Sequence, residues 1–272
     1  MKLDLAIYRA YNNDISNKSD KELKKHFHSS GKFERRIFAS CDTTAERFSM
    51  RWCRGSGLEI GAGRSPTKLF GDAQSVQADI EGAEYFGNSN FITYSLNEEV
   101  PSELAEKFDF VISSHVLEHV ESLILSIRRL KKTVKIGGII YFIVPDKTQL
   151  DDANWMPDFD IEHHLKEEKS PRLYEELHDN LILARLKETA HTLEGMPDSE
   201  LAVYQTEVRN IREIIKSDSL KDRRFGFHQH NYDYNNWIKI IFEIVEHIGG
   251  LKFCEVGYGH ERKDCHFVYE KC

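Results

Sequence analysis

What this sequence lacks narrows it first. No apolar run approaches the roughly twenty residues needed to cross a bilayer, and the N-terminal stretch has no apolar core of a secretion signal. Net basic charge is missing too. Forty-five acidic residues against 37 basic ones leave a formal charge of −8, which argues against general nucleic-acid or membrane-surface binding. The short basic clusters at 21–25, 35–36 and 221–224 are flanked by acids and read as solvated faces. Cysteines number only five (Cys41, Cys53, Cys254, Cys265 and Cys272), with no Cys-x-x-Cys pair, so neither a disulfide framework nor a cysteine zinc site is expected. The expectation is a cytoplasmic protein with reduced thiols. Its 272 residues suffice for one large domain carrying a sizeable insertion.

What is present is an alternation. Residues 1–55 are polar, with apolar residues at roughly helical spacing, and predict an N-terminal helical cap. From residue 56 short apolar runs alternate with helical stretches, the pattern of a parallel sheet covered on both faces. Strands are expected at 58–60, 76–80, 91–96, 110–113 and 139–144. Pro66 and Pro101 mark helix starts, and a long amphipathic helix is expected from Leu117 to Val134, ended by Gly137-Gly138. Residues 147–224 break the rhythm and predict a helical insertion, with helices at 171–192 and 199–216. The remainder predicts an extended segment at 225–230, a helix at 237–248 and a closing hairpin of strands at 251–257 and 265–269. The predicted fold is therefore α/β: a doubly wound, mostly parallel seven-stranded sheet ending in an antiparallel hairpin, within a domain spanning 56–272.

One stretch organises the rest. In Leu58-Glu59-Ile60-Gly61-Ala62-Gly63 an apolar run ends in two glycines, which let the chain turn sharply and leave bare peptide N–H groups beside a ligand. Asp79 closes the next strand, where a carboxylate can accept both hydroxyls of a ribose. Pro66 follows where the third glycine of a dinucleotide fingerprint would be expected.

The glycine turn, the Asp79 strand end, the run Phe108-Asp109-Phe110-Val111-Ile112-Ser113-Ser114-His115, and Gly137-Gly138 before an apolar strand closing in Val144-Pro145-Asp146 fall in a specific order. Together they resemble the class I S-adenosylmethionine-dependent methyltransferases over residues 55–146 and 225–272. The resemblance implies S-adenosylmethionine as cofactor and S-adenosylhomocysteine as product. It assigns Glu59, Gly61, Ala62 and Gly63 to the methionine end, Asp79 to the ribose and Ile80 to packing on adenine. Ser113, Ser114 and His115 then meet the methionine moiety. At the end of strand three, Ser95-Leu96 stands where many relatives carry an adenine-binding Asp. Val144-Pro145-Asp146-Lys147, His163-His164-Leu165 and His228-Gln229-His230 further resemble a bacterial subgroup associated with surface-carbohydrate biosynthesis. That implies a small-molecule or glycan-precursor acceptor, with no nucleic-acid partner and no membrane insertion.

Methylating a hydroxyl calls for a group that removes its proton, and histidine suits this near neutral pH. His228 and His230, two residues apart on an extended segment, are the expected base or substrate anchor, with Asp146 orienting one of them. Asp146, Asp151, His163, His228 and His230 also offer metal-type ligands, but their spacing matches no standard motif, and no metal is assigned. The competing readings are a nicotinamide-dependent oxidoreductase, an N-methyltransferase of a small metabolite, and a non-catalytic subunit of methyltransferase fold.

Overall fold

In the computed structural model, residues 3–31, 34–63, 65–80, 91–150, 156–194, 228–261 and 263–272 are described. The insertion helix expected at 199–216, the basic cluster at 221–224, Asp151, and residues 225–227 of the expected extended segment lie outside them. The described chain forms two compact units. The first comprises Met1–Val116, Ile127–Pro145 and Ile248–Cys272; the second comprises Leu117–Ser126 and Asp146–His247.

The first unit is built on a seven-stranded sheet: β1 (Ser56–Ile60), β2 (Gln74–Asp79), β3 (Phe91–Thr93), β4 (Phe108–Ser114), β5 (Val134–Pro145), β6 (Leu251–Gly259) and β7 (Asp264–Lys271). Their order is β3-β2-β1-β4-β5-β7-β6. The first five strands pair in parallel, and β7 runs antiparallel between β5 and β6. This is the expected doubly wound sheet with its closing hairpin. Strand order reverses between β1 and β4, and in open α/β sheets the ligand crevice lies outside the carboxyl ends of the strands at such a reversal.

Central strands are the apolar ones, as a sheet covered on both faces requires. Ile139 to Val144 are all buried, as are Phe110 to Ile112. Phe48 of α3 (Thr44–Trp52) packs against this layer with Phe110, Ile112, Tyr141 and Val268. A second cluster joins α1 (Leu5–Ala10) and α2 (Asp20–His26) to Phe38, Met50 and Phe70 through Tyr8 and Leu23. Capping sets these helix starts. Ser19 and Glu22 form a reciprocal capping box on α2, and the Thr43 side chain accepts from the N–H of Glu46 at the start of α3.

Three local expectations are corrected. The amphipathic helix does not run from Leu117 to Val134: Leu117–His119 is a 3-10 turn, and α4 spans Leu123–Thr133. Strand β5 begins at once at Val134, so Gly137-Gly138 lies inside a strand. Pairing with β4 jumps from Phe108↔Val134 to Phe110↔Ile139, and residues 135–138 bulge out with Gly137 at φ +76°. No helix follows Pro66 either. The carbonyl of Lys68, which a helix would need, accepts from Ser49 Oγ (2.7 Å), and the N–H of Thr67 donates to Glu59 (2.7 Å). Residues 102–106 after Pro101 form turns.

The second unit carries α5 (Ile161–Lys169), α6 (Pro171–Glu194) and α7 (Tyr234–Ile248). Met156, Ile182, Leu183 and Leu186 form one buried cluster there. Asp160 caps α5 by accepting from the N–H of His163 (3.0 Å), and Asp233 caps α7 through Asn236 (2.9 Å).

Candidate active site

At the carboxyl end of β1 the chain turns through Gly61 (φ +75°) and Gly63 (φ +51°), left-handed conformations that favour glycine. At Gly61 a side chain is excluded twice over, since an added Cβ would lie 2.1 Å from Val116 Cγ2. Around Gly63 there is open space: a Cβ there would meet nothing within 4 Å. Ala62, between them, is buried. The turn is held from both sides. Gly61 N–H donates to the carbonyl of Ala78 (2.8 Å), and Gly63 N–H donates to Asp79 Oδ2 (3.2 Å).

Beneath the turn, Glu59 is 1% exposed. Its Oε1 accepts from the N–H of Thr67, while Oε2 is buried without a partner. Burial pushes this carboxyl up, and the Thr67 bonds only partly oppose the shift. On the neighbouring β4, Ser113 Oγ is likewise buried and unpartnered. Ile80, next to Asp79, is 41% exposed, an apolar side chain left uncovered beside the glycine turn. Ser95 Oγ accepts from the N–H of Asn97 (3.1 Å), and Leu96 is buried with its carbonyl bound by Arg129 (2.7 Å).

His115 leaves β4 after Ser114 with φ +54°, its N–H bound to the carbonyl of Ile143 (3.0 Å). Its half-exposed imidazole presents Nε2 3.6 Å from Oδ1 of the buried Asp264, the first residue of β7. Sequence reasoning did not pair these two, which stand 149 residues apart (264 − 115). The same β6–β7 turn supplies Glu261 to a cavity of about 310 Å³ lined also by Tyr11, Cys41, Asp42, Thr43, Thr44 and Arg47. Glu261 accepts from Thr44 at the start of α3, which fixes one wall of that cavity.

The second unit holds the other expected residues. Asp146 accepts from the N–H and Oγ1 of Thr148 (2.9 and 2.7 Å), capping a short 3-10 turn. His228, half-buried, stacks on His119 with ring centroids 4.7 Å apart. His230 is wholly buried, and the carboxylate that meets its Nε2 is Glu167 (3.0 Å). Glu167 also receives His164 Nδ1 (2.9 Å), while His163 and His178 stand 3.6 and 3.9 Å from it. Burial raises the Glu167 carboxyl, but the histidines around it, His230 foremost, more than reverse this and hold it well below the ordinary carboxylate range. Burial pushes His178 down to about 3. Glu167 and His178 were absent from the sequence reading. The i, i+4 spacing of His163 and Glu167 on α5 was the available signal, whereas nothing local points to His178.

Residues 33–180 match the family described as Methyltransferase domain. The chain belongs to that family. No curated protein matches it. Among solved structures, the methyltransferase is similar to a SAM-dependent methyltransferase from Aquifex aeolicus, at 12% identity and TM-score 0.42, covering 93% of this chain and 98% of that one. It is also similar to a protein from Rhodobacter sphaeroides named for zinc-dependent alcohol dehydrogenases, at 14% identity and TM-score 0.48, covering 86% and 91%. A third likeness is to the CurJ carbon methyltransferase, at 16% identity and TM-score 0.39, covering 80% of this chain and 49% of that one. The chain also spans only 46% of the citrinin polyketide synthase CMeT domain structure. The family match, not these distant likenesses, carries the functional reading.

The cofactor of the methyltransferase is S-adenosylmethionine, and the first unit fits it. Two buried polar atoms without partners, Glu59 Oε2 and Ser113 Oγ, stand at the carboxyl ends of adjacent strands. The open space at Gly63 and the uncovered Ile80 complete a polar-to-apolar run suited to an amino acid, a ribose and a base. When bound, the cofactor supplies an electrophilic methyl group on sulfur.

Proposed function

We propose that this methyltransferase O-methylates a small polar acceptor, a sugar or phosphorylated sugar-like precursor of a surface glycan. The observation that carries the reading is the His115–Asp264 pair. A half-exposed imidazole with a buried carboxylate 3.6 Å from its Nε2 can take a hydroxyl proton while the carboxylate favours the resulting cation. An acceptor amine, bound with its lone pair free, needs less help of this kind.

In this reading Glu59, Gly61, Ala62, Gly63 and Ser113 hold the amino-acid end of the cofactor, Asp79 its ribose and Ile80 its base. Ser114 borders the methionine moiety and Ser95-Leu96 the adenine. The polar cavity is the acceptor pocket. Its Arg47 guanidinium makes no ion pair among the described residues, which suits a phosphate or carboxylate of the acceptor. Asp42, Thr43 and Thr44 offer sugar-type hydrogen bonds. The β6–β7 turn links this pocket to the base, since Glu261 lines one and Asp264 meets the other. His115 accepts the proton, Asp264 orients it, and the walls of the pocket align the acceptor oxygen and keep water out.

The test is a screen of nucleotide sugars and phosphorylated sugars for S-adenosylhomocysteine release. Product from a sugar hydroxyl that falls with Arg47→Ala supports the reading. Turnover confined to amine acceptors would refute it.

A further inference from the structure

We propose that the second unit is built around a divalent metal site, of zinc type, formed by His163, Glu167 and His178. His163 Nε2 lies 3.1 Å from His178 Nε2 and 3.6 Å from Glu167 Oε1, and His178 Nε2 lies 3.9 Å from the same oxygen. His230 Nε2, 3.0 Å from that oxygen, hydrogen-bonds the carboxylate and holds it in place. A tetrahedral zinc ion with ligand bonds of about 2.0–2.1 Å separates its ligand atoms by roughly 3.3 Å. The observed separations bracket that value.

Supporting contacts assign the lone pairs. Gln229 Oε1, an acceptor, lies 3.5 Å from His178 Nδ1. That nitrogen therefore carries the ring proton, and the bare Nε2 faces the cluster. An acceptor behind a ligating imidazole is the usual arrangement around protein-bound metals. His164 Nδ1 occupies the other oxygen of Glu167 (2.9 Å) while its Nε2 is held by Tyr232 OH (2.7 Å), which leaves Oε1 directed at His163 and His178. Glu167, His178 and His230 are wholly buried, and His163 keeps only 13% of its side chain exposed. With its proton on Nδ1, His178 turns a lone pair on Nε2 toward His163 Nε2 and Glu167 Oε1 in a site closed to water. A cation between them takes the two imidazole lone pairs and the carboxylate oxygen together.

The donors come from two helices: α5 supplies His163 and Glu167 at i, i+4, and α6 supplies His178. Three protein ligands leave the fourth tetrahedral position to a water. The metal would clamp these segments of the second unit together, much as a small core cluster of four apolar residues does elsewhere in that unit. Nitrogen and carboxylate donors without thiolate select zinc or a neighbouring divalent transition ion over magnesium or calcium.

Metal analysis of the full-length purified protein tests this directly. We expect one zinc ion per chain, lost on dialysis against chelator with a fall in melting temperature, and both restored by added Zn2+. Cobalt added to the stripped protein should give the intense visible absorption of a four-coordinate site. His163→Ala and Glu167→Gln should abolish that band. His119→Ala should keep it, because His119 belongs to a separate group with Glu118 and His228. A stripped protein that takes up neither metal and melts unchanged would overturn the proposal. So would a cobalt band lost in His119→Ala and retained in His163→Ala.

Discussion

The N–H of Gly63 donates to Asp79 Oδ2 across 3.2 Å, so the glycine turn after β1 and the acid ending β2 are locked to each other. This bond joins the two segments proposed to hold the cofactor without any ligand. It also predicts that the acid can be altered without collapsing the turn, because an amide oxygen can accept the same N–H.

Asp79→Asn should therefore fold normally and lose cofactor affinity. A hydrogen bond to a charged group is worth about 1.5–3 kcal/mol, so binding of S-adenosylhomocysteine should weaken roughly tenfold to a hundredfold. Titration calorimetry against the wild type measures it. Unchanged affinity would remove Asp79 from the ribose site.

Gly61→Ala should damage both stability and binding. The new Cβ meets Val116 Cγ2 at 2.1 Å in a left-handed backbone. Overpacking of this kind costs about 1–3 kcal/mol, and the left-handed conformation about 1–2 kcal/mol more. Gly63→Ala meets no neighbour and should carry only the second cost. Thermal melts of the two variants, side by side, separate packing from backbone strain.

His115→Ala should lower kcat by about a hundredfold to ten-thousandfold, the usual range for a general base. S-adenosylhomocysteine affinity should change far less. Asp264→Asn should fall between wild type and His115→Ala and shift the acidic limb of the pH–rate profile. A full loss of kcat in His228→Ala with His115→Ala unimpaired would transfer the base to His228.

Stability should fall with acid through His266. Burial pushes its imidazole down from the ordinary 6.5 to about 4, and its Nδ1 lies 2.9 Å from Tyr141 OH in the core. Between these values the unfolded chain binds the proton that the folded chain excludes, so stability rises with pH. The contribution is fully present above about 6.5 and is lost as pH drops toward 4, amounting to about 3 kcal/mol at the limit. Denaturant melts at pH 7 and pH 5, compared with the same pair for His266→Phe, should show a smaller pH slope in the variant.

Much of the fold was legible because its signal is local. Apolar runs such as Ile139–Val144 announce buried parallel strands, and the Gly61–Gly63 pair announces a turn that only glycine makes easily. Boundaries were less so. Helix α4 stops at Thr133 because β5 bulges through Gly137-Gly138 to keep register with β4, and register is a property of two strands. Whether Pro66 opens a helix depended on Glu59 and Ser49, which capture the backbone groups that follow it.

The sequence by itself determined the strands of the sheet, its closing hairpin, and the glycine turn with its acid, since each is written in short local runs of residues. Only the tertiary structure decided which distant groups meet. It set Asp264 beside His115, Tyr141 against His266, and His178 and His230 around Glu167. Periodicity reports which face of an element is buried; packing between elements, which no short window of sequence contains, sets what that face touches.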